Sequence, residues 1–574
     1  MMKNLVVLFA GADMRYALTK DFDGKSAFAL ALLWARAVAA DGGDVVVFTV
    51  PAYQNAIADA LTCDNARVAD GYVVVRDAWT NADIAAEIAA ACAAHQADYA
   101  VYAWADLPFL SVRLTSELSV MQTRYKAEYS FADGFPYGLA PEVVDKGTAG
   151  IIAALGRDSQ KAAGERAASR NALFSIMNGD INSFEIETLI ADKDYRMMRL
   201  SFDCGSKAGA LCCQRLYAAA QKAGMLPNTD DESALSALDV YQLSDLAAHD
   251  CGVLQTLPAF YDVQLSVRYN HACRYSPAAL LCERLTPPSA DMPFERFCAL
   301  VADIAATSER AVVSLSLWGE PLLHPRFVDC VREVLRYPQL SIFIETDGTL
   351  VTEELSEQLA EEARALPAAT DGAFVCTGVA SRVIWCVQLD AVSSPMYAAV
   401  HGIANSAQAE ADFAAATRAV AVLSRQFPHA VYPQFTRMKQ NESELEAFYR
   451  SWRRADSPSL GELVIQKYDR FCGVLPDEKS ADLSPLERFP CWHLRRDLCV
   501  RADGGVPFCK SAFPAAVALN GAPSSCVAGN VFDEGITAVW RHLAAPLQKH
   551  IQGDYAAVCS GVCKACDEYY TFNF

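Results

Sequence analysis

The sequence predicts an α/β protein of several domains, and three observations carry that expectation. The chain has 574 residues, too many for one core, and about 150 residues per domain sets a prior of three or four units. Apolar residues make up 52% and charged residues 21%, an ordinary balance with ample material for buried cores. Short apolar runs alternate with amphipathic stretches along most of the length, the pattern of strands joined by helices in parallel sheets.

In residues 1–205 the runs LVVLFAG, DVVVFTV and YAVYAW read as strands and the Ala-rich ADIAAEIAAACAAH as a helix. Residues 206–256 keep helical periodicity without strand signal, broken by LPNTDDES, and read as a helical connector. Alternation resumes over 257–455, with YDVQLSV, AVVSLSLWG, LSIFIET, SRVIWCVQLDA and AVYPQFTRM as strands. PRFVDCVREVLRY and TEELSEQLAEEARAL are helices between them. Such a series of βα units predicts an open, partial barrel. Residues 456–574 are punctuated by Pro and Asp and rich in Cys, with only short strands.

A net charge of −20 repels a phosphate backbone, and no basic run interleaved with aromatics offsets it, so nucleic acid is not an expected partner. The opening MMKNLVVLFAGADMRY has an apolar run too short for a secretory segment. No apolar stretch approaches the roughly 18–20 residues that span a bilayer, so neither a membrane nor export is expected and the chain is placed in the cytoplasm. Its 20 cysteines then face a reducing compartment, where clustered thiols more often bind metal than form disulfides. Seven of them lie between Cys491 and Cys566. Cys63, Cys92, Cys330 and Cys376 sit singly in apolar or amphipathic surroundings and read as buried small hydrophobes.

Within 257–455, SVRYNHACRYSPAALLC (266–282) keeps the frame of a cysteine loop around Tyr269, Asn270, Cys273, Tyr275, Ser276 and Pro277. WGEPLLHP (318–325), ETDGT (345–349) and VQLDAVSSPMYAAVHG (387–402) follow in order. Together these resemble radical S-adenosylmethionine (SAM) enzymes, whose loop carries C-x3-C-x2-C, followed by a Gly-Gly-Glu-Pro segment, an E-T-N-G-T strand end, and a helix with an arginine–glycine end. The resemblance implies a partial (β/α)6 barrel. It also implies SAM or a SAM-like ligand along Gly319 and Glu320, though Glu320 read by itself is also a cap on the next helix. Chemistry asks for three thiolates, because a [4Fe–4S] cluster held by three cysteines leaves one iron free for SAM. Here Tyr269 and Ser276 stand where two of the cysteines would be, and oxygen ligands are harder and less acidic than thiolate. The barrel is therefore expected to keep the fold and to have lost reductive SAM cleavage, with Cys273 a thiol on a repurposed loop. Completion by Cys282 through a rearranged loop is the alternative.

At the carboxyl end, Cys491 and Cys509 flank CWHLRRDLCVRADGGVPFC as C-x12-G-x4-C, with ADGGVPF as a hairpin that brings two thiols together. CSGVCKACDEYYTFNF adds Cys559, Cys563 and Cys566. With the intervening VAGNVFDEGITAVWRH, this is similar to the SPASM domain, the auxiliary iron–sulfur module of many radical SAM maturases of peptides; the family's middle C-x2-C-x5-C-x3-C run is missing. The expected ligands of one [4Fe–4S] cluster are Cys491, Cys509, Cys563 and Cys566, with Cys559 the alternate to Cys563. A structural zinc site on the same thiols is the rival. Cys499 and Cys526 read as packing residues.

In the first segment, WADLPFL (104–110), AEYSFADGFPYGLAPEVV and DYRMMRLSFD resemble nucleotidyltransferases that load sugars with CMP, a GT-A/Rossmann-like fold. The resemblance implies Mg²⁺ and a nucleotide at Asp106 and Asp203. The family's glycine-rich opening loop is reduced here to AGADMR, followed by Lys25 in DGKSAF, which favours a binding or docking module over a working enzyme. The order of parts resembles the spirochete proteins called spiro-SPASM. The function expected is that of an iron–sulfur protein binding a small-molecule or peptide ligand. An active maturase and a sugar nucleotidyltransferase are the alternatives.

Overall fold

A computed structural model describes residues 2–11, 13–39, 43–63, 73–163, 167–226, 238–285, 289–366, 381–482, 484–520 and 523–570. The chain forms two compact units, Met1–Thr256 and Leu257–Phe574.

The first unit is built on a seven-stranded sheet. In it β1 (Asn4–Ala10) is flanked in parallel by β2 (Asp44–Thr49) and β4 (Tyr99–Trp104), with β3 (Val73–Val75) beyond β2. These runs are continuously apolar rather than alternating because helices cover both faces of a parallel sheet. Beyond β4 the direction reverses: β6 (Glu142–Asp145) is antiparallel to β4 and to β5 (Tyr129–Asp133), and β7 (Ile186–Ile190) runs parallel to β5. The helix Asn81–Ala94 starts with a reciprocal capping box, Thr80 accepting from the Asp83 N–H and Asp83 from the Thr80 N–H. The stretch expected as a connector forms the helices Lys207–Lys222, Val240–His249 and Cys251–Leu254, and belongs to this unit. Arg215 ties its ends by donating to the carbonyls of Gly252 (2.6 Å) and Gln255 (2.9 Å). Most of LPNTDDES lies outside the described residues, as do Cys376 and the side chain of Cys63. Cys92 and Cys330 are buried as expected.

In the second unit β8 (Phe260–Val263), β9 (Ala311–Ser314), β10 (Leu340–Thr346), β11 (Val383–Gln388), β12 (Val431–Arg437) and β13 (Val464–Lys467) stand side by side in chain order, all parallel. This is the curled, open sheet expected from six βα units. The helices Phe294–Ser308 and Phe327–Leu335 bury Leu300, Ile304, Val331 and Val334 with Val313, Ile342, Ile344 and Trp385 of the sheet. Each such side chain contributes about 2 kcal/mol of burial.

Two features depart from expectation. The sheet takes strands from beyond residue 455: β13, and β14 (Asp497–Val500), which joins the other edge parallel to β8. The turn expected in ADGGVPF is present, Gly504 donating to Arg501 at 2.8 Å with φ +81°. Its two strands separate, however: β14 enters the large sheet, and β15 (Gly505–Pro507) pairs antiparallel with β16 (Val527–Asn530). The wholly buried Asp-Leu-Cys-Val run suits a strand covered on both faces, whereas Pro507 lacks the N–H a central ladder needs. Among the described residues no helix is long and apolar enough to cross a membrane.

Asp497 anchors β14. Its carboxylate is buried between His493 Nδ1 (2.6 Å) and Arg496 Nε (2.5 Å), and His493 Nε2 faces the Glu568 carbonyl at 3.0 Å. Burial alone pushes the carboxyl up, but Arg496 and His493 override it and hold it well below the usual range. A depressed folded value gives stability that is present above the unfolded value near 4 and lost as pH falls through the folded one. Asp497→Asn is expected to lower stability at pH 7 by about 3 kcal/mol. In urea titrations the native chain should converge on the variant as pH falls below about 4.

Candidate functional site

Cysteine thiols gather where the segments around Cys472, Cys491, Cys509 and 559–566 meet. Cys491 faces Cys563 and Cys566, and Cys509 faces Cys491, Cys563 and Cys566. Cys472, which no spacing argument had singled out, is in hydrogen-bond contact with Cys566 and also faces Cys509. The site is buried, with Cys472, Cys491 and Cys563 all under 10% exposed. Backbone N–H groups donate to two of the sulfurs: Ser511 N to Cys509 Sγ at 3.4 Å and Glu568 N to Cys566 Sγ at 3.3 Å. Such donors stabilise negative charge on sulfur.

Two loops deliver the thiols through left-handed backbone: Phe471, Cys472 and Gly473 (φ +48°, +56°, +93°), and Cys559, Ser560 and Gly561 (+50°, +53°, +88°). Conformations of this kind persist where tertiary contacts over-determine them. Cys559 contacts both Cys526 and Cys563, so its thiol is shared with a residue expected only to pack. Around a single zinc, four thiolates would stand about 3.8 Å apart. Among the described residues the one group of three or more His, Cys, Asp or Glu with ligand atoms all within 4.8 Å of each other is Asp469, Asp567 and Glu568. Lys467 and Ser511 already engage that acidic group, at 2.6 Å to Glu568 and to Asp469.

The barrel loop after β8 carries no second or third thiol beside Cys273. Asn270 donates to Asp347 (2.8 Å) and Thr349 (3.1 Å). Tyr269 is 36% exposed. Ser276 Oγ accepts from the Ala278 N–H at 3.3 Å. Cys273 Sγ lies 3.5 Å from His401 Nδ1. Cys282 is exposed and donates to the Val267 carbonyl at 3.2 Å; it lines a separate pocket with Gln264, Trp318, Arg501 and Phe513.

Gly319 and Glu320, expected against a SAM-like ligand, are engaged by the protein itself. A side chain at Gly319 would collide with the Ser266 carbonyl, 1.9 Å from an ideal Cβ, and the Glu320 N–H donates to the Arg268 carbonyl at 2.8 Å. The Glu320 carboxylate accepts from Leu322 N (3.1 Å), Thr346 Oγ1 (2.9 Å) and Asp347 N (3.0 Å), so it does cap the short helix Pro321–Leu323. Burial, reinforced by Asp347, pushes this carboxyl up to about 8.

In the first unit Asp106 and Asp203 do converge, but on Arg170. The guanidinium grips both oxygens of Asp106, at 2.7 and 2.5 Å, and reaches Asp203 Oδ1 at 3.2 Å. It lies over the Trp104 ring at 4.3 Å. Burial pushes Asp106 up and Arg170 opposes it. A fixed cation thus stands where Mg²⁺ was expected between these carboxylates. Arg170 lies in no recognisable motif, so the sequence offered no signal for it. Gly11 of the shortened loop packs against Phe9 and Trp79, whose ring atoms would be within 2.7 Å of an added Cβ. Residue 12 lies outside the described residues.

Fold and site together define a protein of two mixed α/β units, the second an open parallel sheet with a buried cysteine-rich centre at its carboxyl end. No family model matches the chain. The chain is 40% identical over 402 residues to an uncharacterized protein of Treponema pallidum (strain Nichols), a match covering 70% of this chain and 98% of that protein; it belongs to the same family as that protein. A stretch of 71 residues is 38% identical to the tungsten-containing aldehyde ferredoxin oxidoreductase cofactor-modifying protein of Pyrococcus furiosus, covering 12% of this chain and 20% of that one. Among solved structures, anSMEcpe with bound AdoMet is similar over 54% of this chain and 87% of its own, at 13% identity and a TM-score of 0.37. A cytidylyltransferase from Leptospira borgpetersenii is similar over 43% of this chain and 94% of its own, at 12% identity and a TM-score of 0.32. Structural similarities at this level assign no activity.

Arg170→Ser leaves Asp106 buried without its counter-charge. It should lower the stability of the chain by about 3 kcal/mol in urea unfolding. Millimolar Mn²⁺ should raise the midpoint of this variant and leave that of the native chain unchanged.

Proposed function

We propose that the chain is an iron–sulfur protein of radical-SAM-like build, with one [4Fe–4S] cluster at its carboxyl end and a barrel that does not initiate radicals. The observation that carries this reading is the contrast between the two cysteine sites. Cys491, Cys509, Cys563 and Cys566 converge in a buried pocket with N–H donors to sulfur, while Cys273 faces an imidazole in place of two further thiols. Those four residues would hold the cluster; Cys472 replaces Cys559 as the alternate ligand, since it touches Cys566 directly. A cluster with four thiolates has no open iron, so it would supply electron transfer or rigidity rather than substrate activation.

The first unit would then be a nucleotidyltransferase-like docking module, with Arg170 in place of Mg²⁺. The order of parts supports a spiro-SPASM protein, acting in the cytoplasm on a small-molecule or peptide ligand, without nucleic acid or membrane. A second reading, an active SAM-dependent enzyme, is favoured by the 71-residue similarity to the cofactor-modifying protein.

Iron and zinc content with EPR on anaerobically purified protein tests the first reading. About four irons per chain, lost in Cys491→Ala/Cys509→Ala, is the expected result. About eight, half surviving in that variant, would place a second cluster on the barrel loop. Release of 5′-deoxyadenosine from SAM under dithionite would establish the second reading.

A further inference from the structure

In the barrel loop a thiol, an imidazole and a carboxylate stand in line. Cys273 Sγ is 3.5 Å from His401 Nδ1, and His401 Nε2 is 3.3 Å from Asp390 Oδ2. The His401 and Asp390 side chains are wholly buried, whereas Cys273 is only partly so. His401 ends the helix Ser394–His401, with Gly402 turning the chain at φ +70°, a position where the helix dipole favours a cation. Its ring is held face to face with Tyr397, centroids 4.0 Å apart, with His271 and Tyr275 at right angles to it. Asp390 is fixed in left-handed backbone (φ +56°). Its Oδ1 accepts from Thr436 N at 2.5 Å and its carbonyl from Asn441 Nδ2 at 2.9 Å, which leaves Oδ2 for His401.

A second observation points to a ligand here. Tyr397 Oη and His271 Nδ1, beside this line, are buried without a hydrogen-bond partner. Each orphan of this kind costs about 1–3 kcal/mol. Two of them beside the Cys273–His401–Asp390 line mark a site that packing alone leaves unsatisfied.

The charged and titratable neighbours come from several elements. Asp390 follows β11 and Asp347 follows β10. Asp412 lies on the helix Ser406–Gln426, His271 and Tyr275 on the loop, and Tyr397 on His401's own helix. His271 sits between Asp412 (3.1 Å) and Asp347 (3.9 Å), which blunts two of the three carboxylates. Burial would push the His401 imidazole down, but Cys273 and Asp390 outweigh it and hold it up at about 10.

We propose that Cys273 is a nucleophile, with His401 as its proton partner and Asp390 as positioning residue, that accepts an acyl group from a small ester or thioester. The thiol proton passes to His401 Nδ1, and the sulfur adds to the carbonyl carbon to form a C–S bond. The bond from that carbon to the leaving oxygen or sulfur breaks, and the leaving group departs with the bonding pair and takes the proton from His401. The acyl class follows from the histidine: an alkyl donor with a halide or sulfonium leaving group needs no proton, whereas alkoxide and thiolate do. The Tyr275 hydroxyl, beside Cys273 and Asp390, is the donor available to the carbonyl oxygen.

The test uses the full native chain with iodoacetamide at pH 6 and pH 8.5, reading each cysteine by peptide mass spectrometry. Exposed Cys282, on the helix Ala278–Arg284 that follows the loop, is the comparator. Cys273 should be alkylated at pH 6 at least about tenfold faster than Cys282, and His401→Gln should abolish the advantage. p-Nitrophenyl acetate should leave one acetyl group on Cys273 with a matching burst of p-nitrophenolate, absent in Cys273→Ser. Because His401 is buried and its replacement risks misfolding, Tyr275→Phe is the second variant. It should slow acetylation about tenfold or more and leave alkylation unchanged, a split that a merely structural role would not produce. Alkylation of Cys273 that only parallels Cys282 with pH, no alkylation of Cys273 at either pH, or no acetyl group on it would overturn the proposal.

Discussion

The second unit depends on one strand pairing, β14 against β8. β8 leads directly into the loop that carries Cys273, and β14 lies between Cys491 and Cys509 in sequence. A single parallel ladder therefore sets both cysteine sites relative to one sheet. The ladder can form only if Asp497, at the start of β14, is neutralised inside the protein, because a lone buried carboxylate costs several kcal/mol. His493 and Arg496 supply that neutralisation from the turn immediately before the strand. His493 also reaches the Glu568 carbonyl, so the same contact ties down the chain beside Cys566.

A second principle runs through both units: positions that a ligand could occupy are filled by the protein's own groups. Arg170 satisfies Asp106 and Asp203, and backbone N–H groups and Thr346 satisfy Glu320. His401 stands against the thiol of the barrel loop. Buried charges are costly to leave unpaired, which accounts for these internal partners. The thiol pocket at the carboxyl end contrasts with this. Its sulfurs meet other sulfurs and backbone N–H groups.

Much of this was legible in the chain. Continuous apolar runs such as Asn4–Ala10 and Val383–Gln388 mark strands covered on both faces, because a strand hidden on two sides has no polar face to show. The C-x2-C spacing of Cys563 and Cys566 and the Gly504 turn are local, and local geometry is what spacing encodes. The loop frame around Cys273 was also visible, as was the loss of two cysteines. The hairpin was misread because a turn signal at Gly504 says that the chain reverses locally, not which sheets its two arms will enter.

By itself, then, the sequence determined the α/β class, the alternation of strands and helices along the chain, and which cysteines are close in sequence, since these follow from periodicity and short-range turn chemistry. Only the tertiary structure decided that Cys472 joins the thiol pocket, that Arg170 occupies the space between two aspartates 97 residues apart, and that Asp390, His401 and Cys273 line up. Each of these depends on side chains brought together by sheet pairing from distant segments, and the cost of burying them unpaired is set by that packing rather than by any neighbour in the chain.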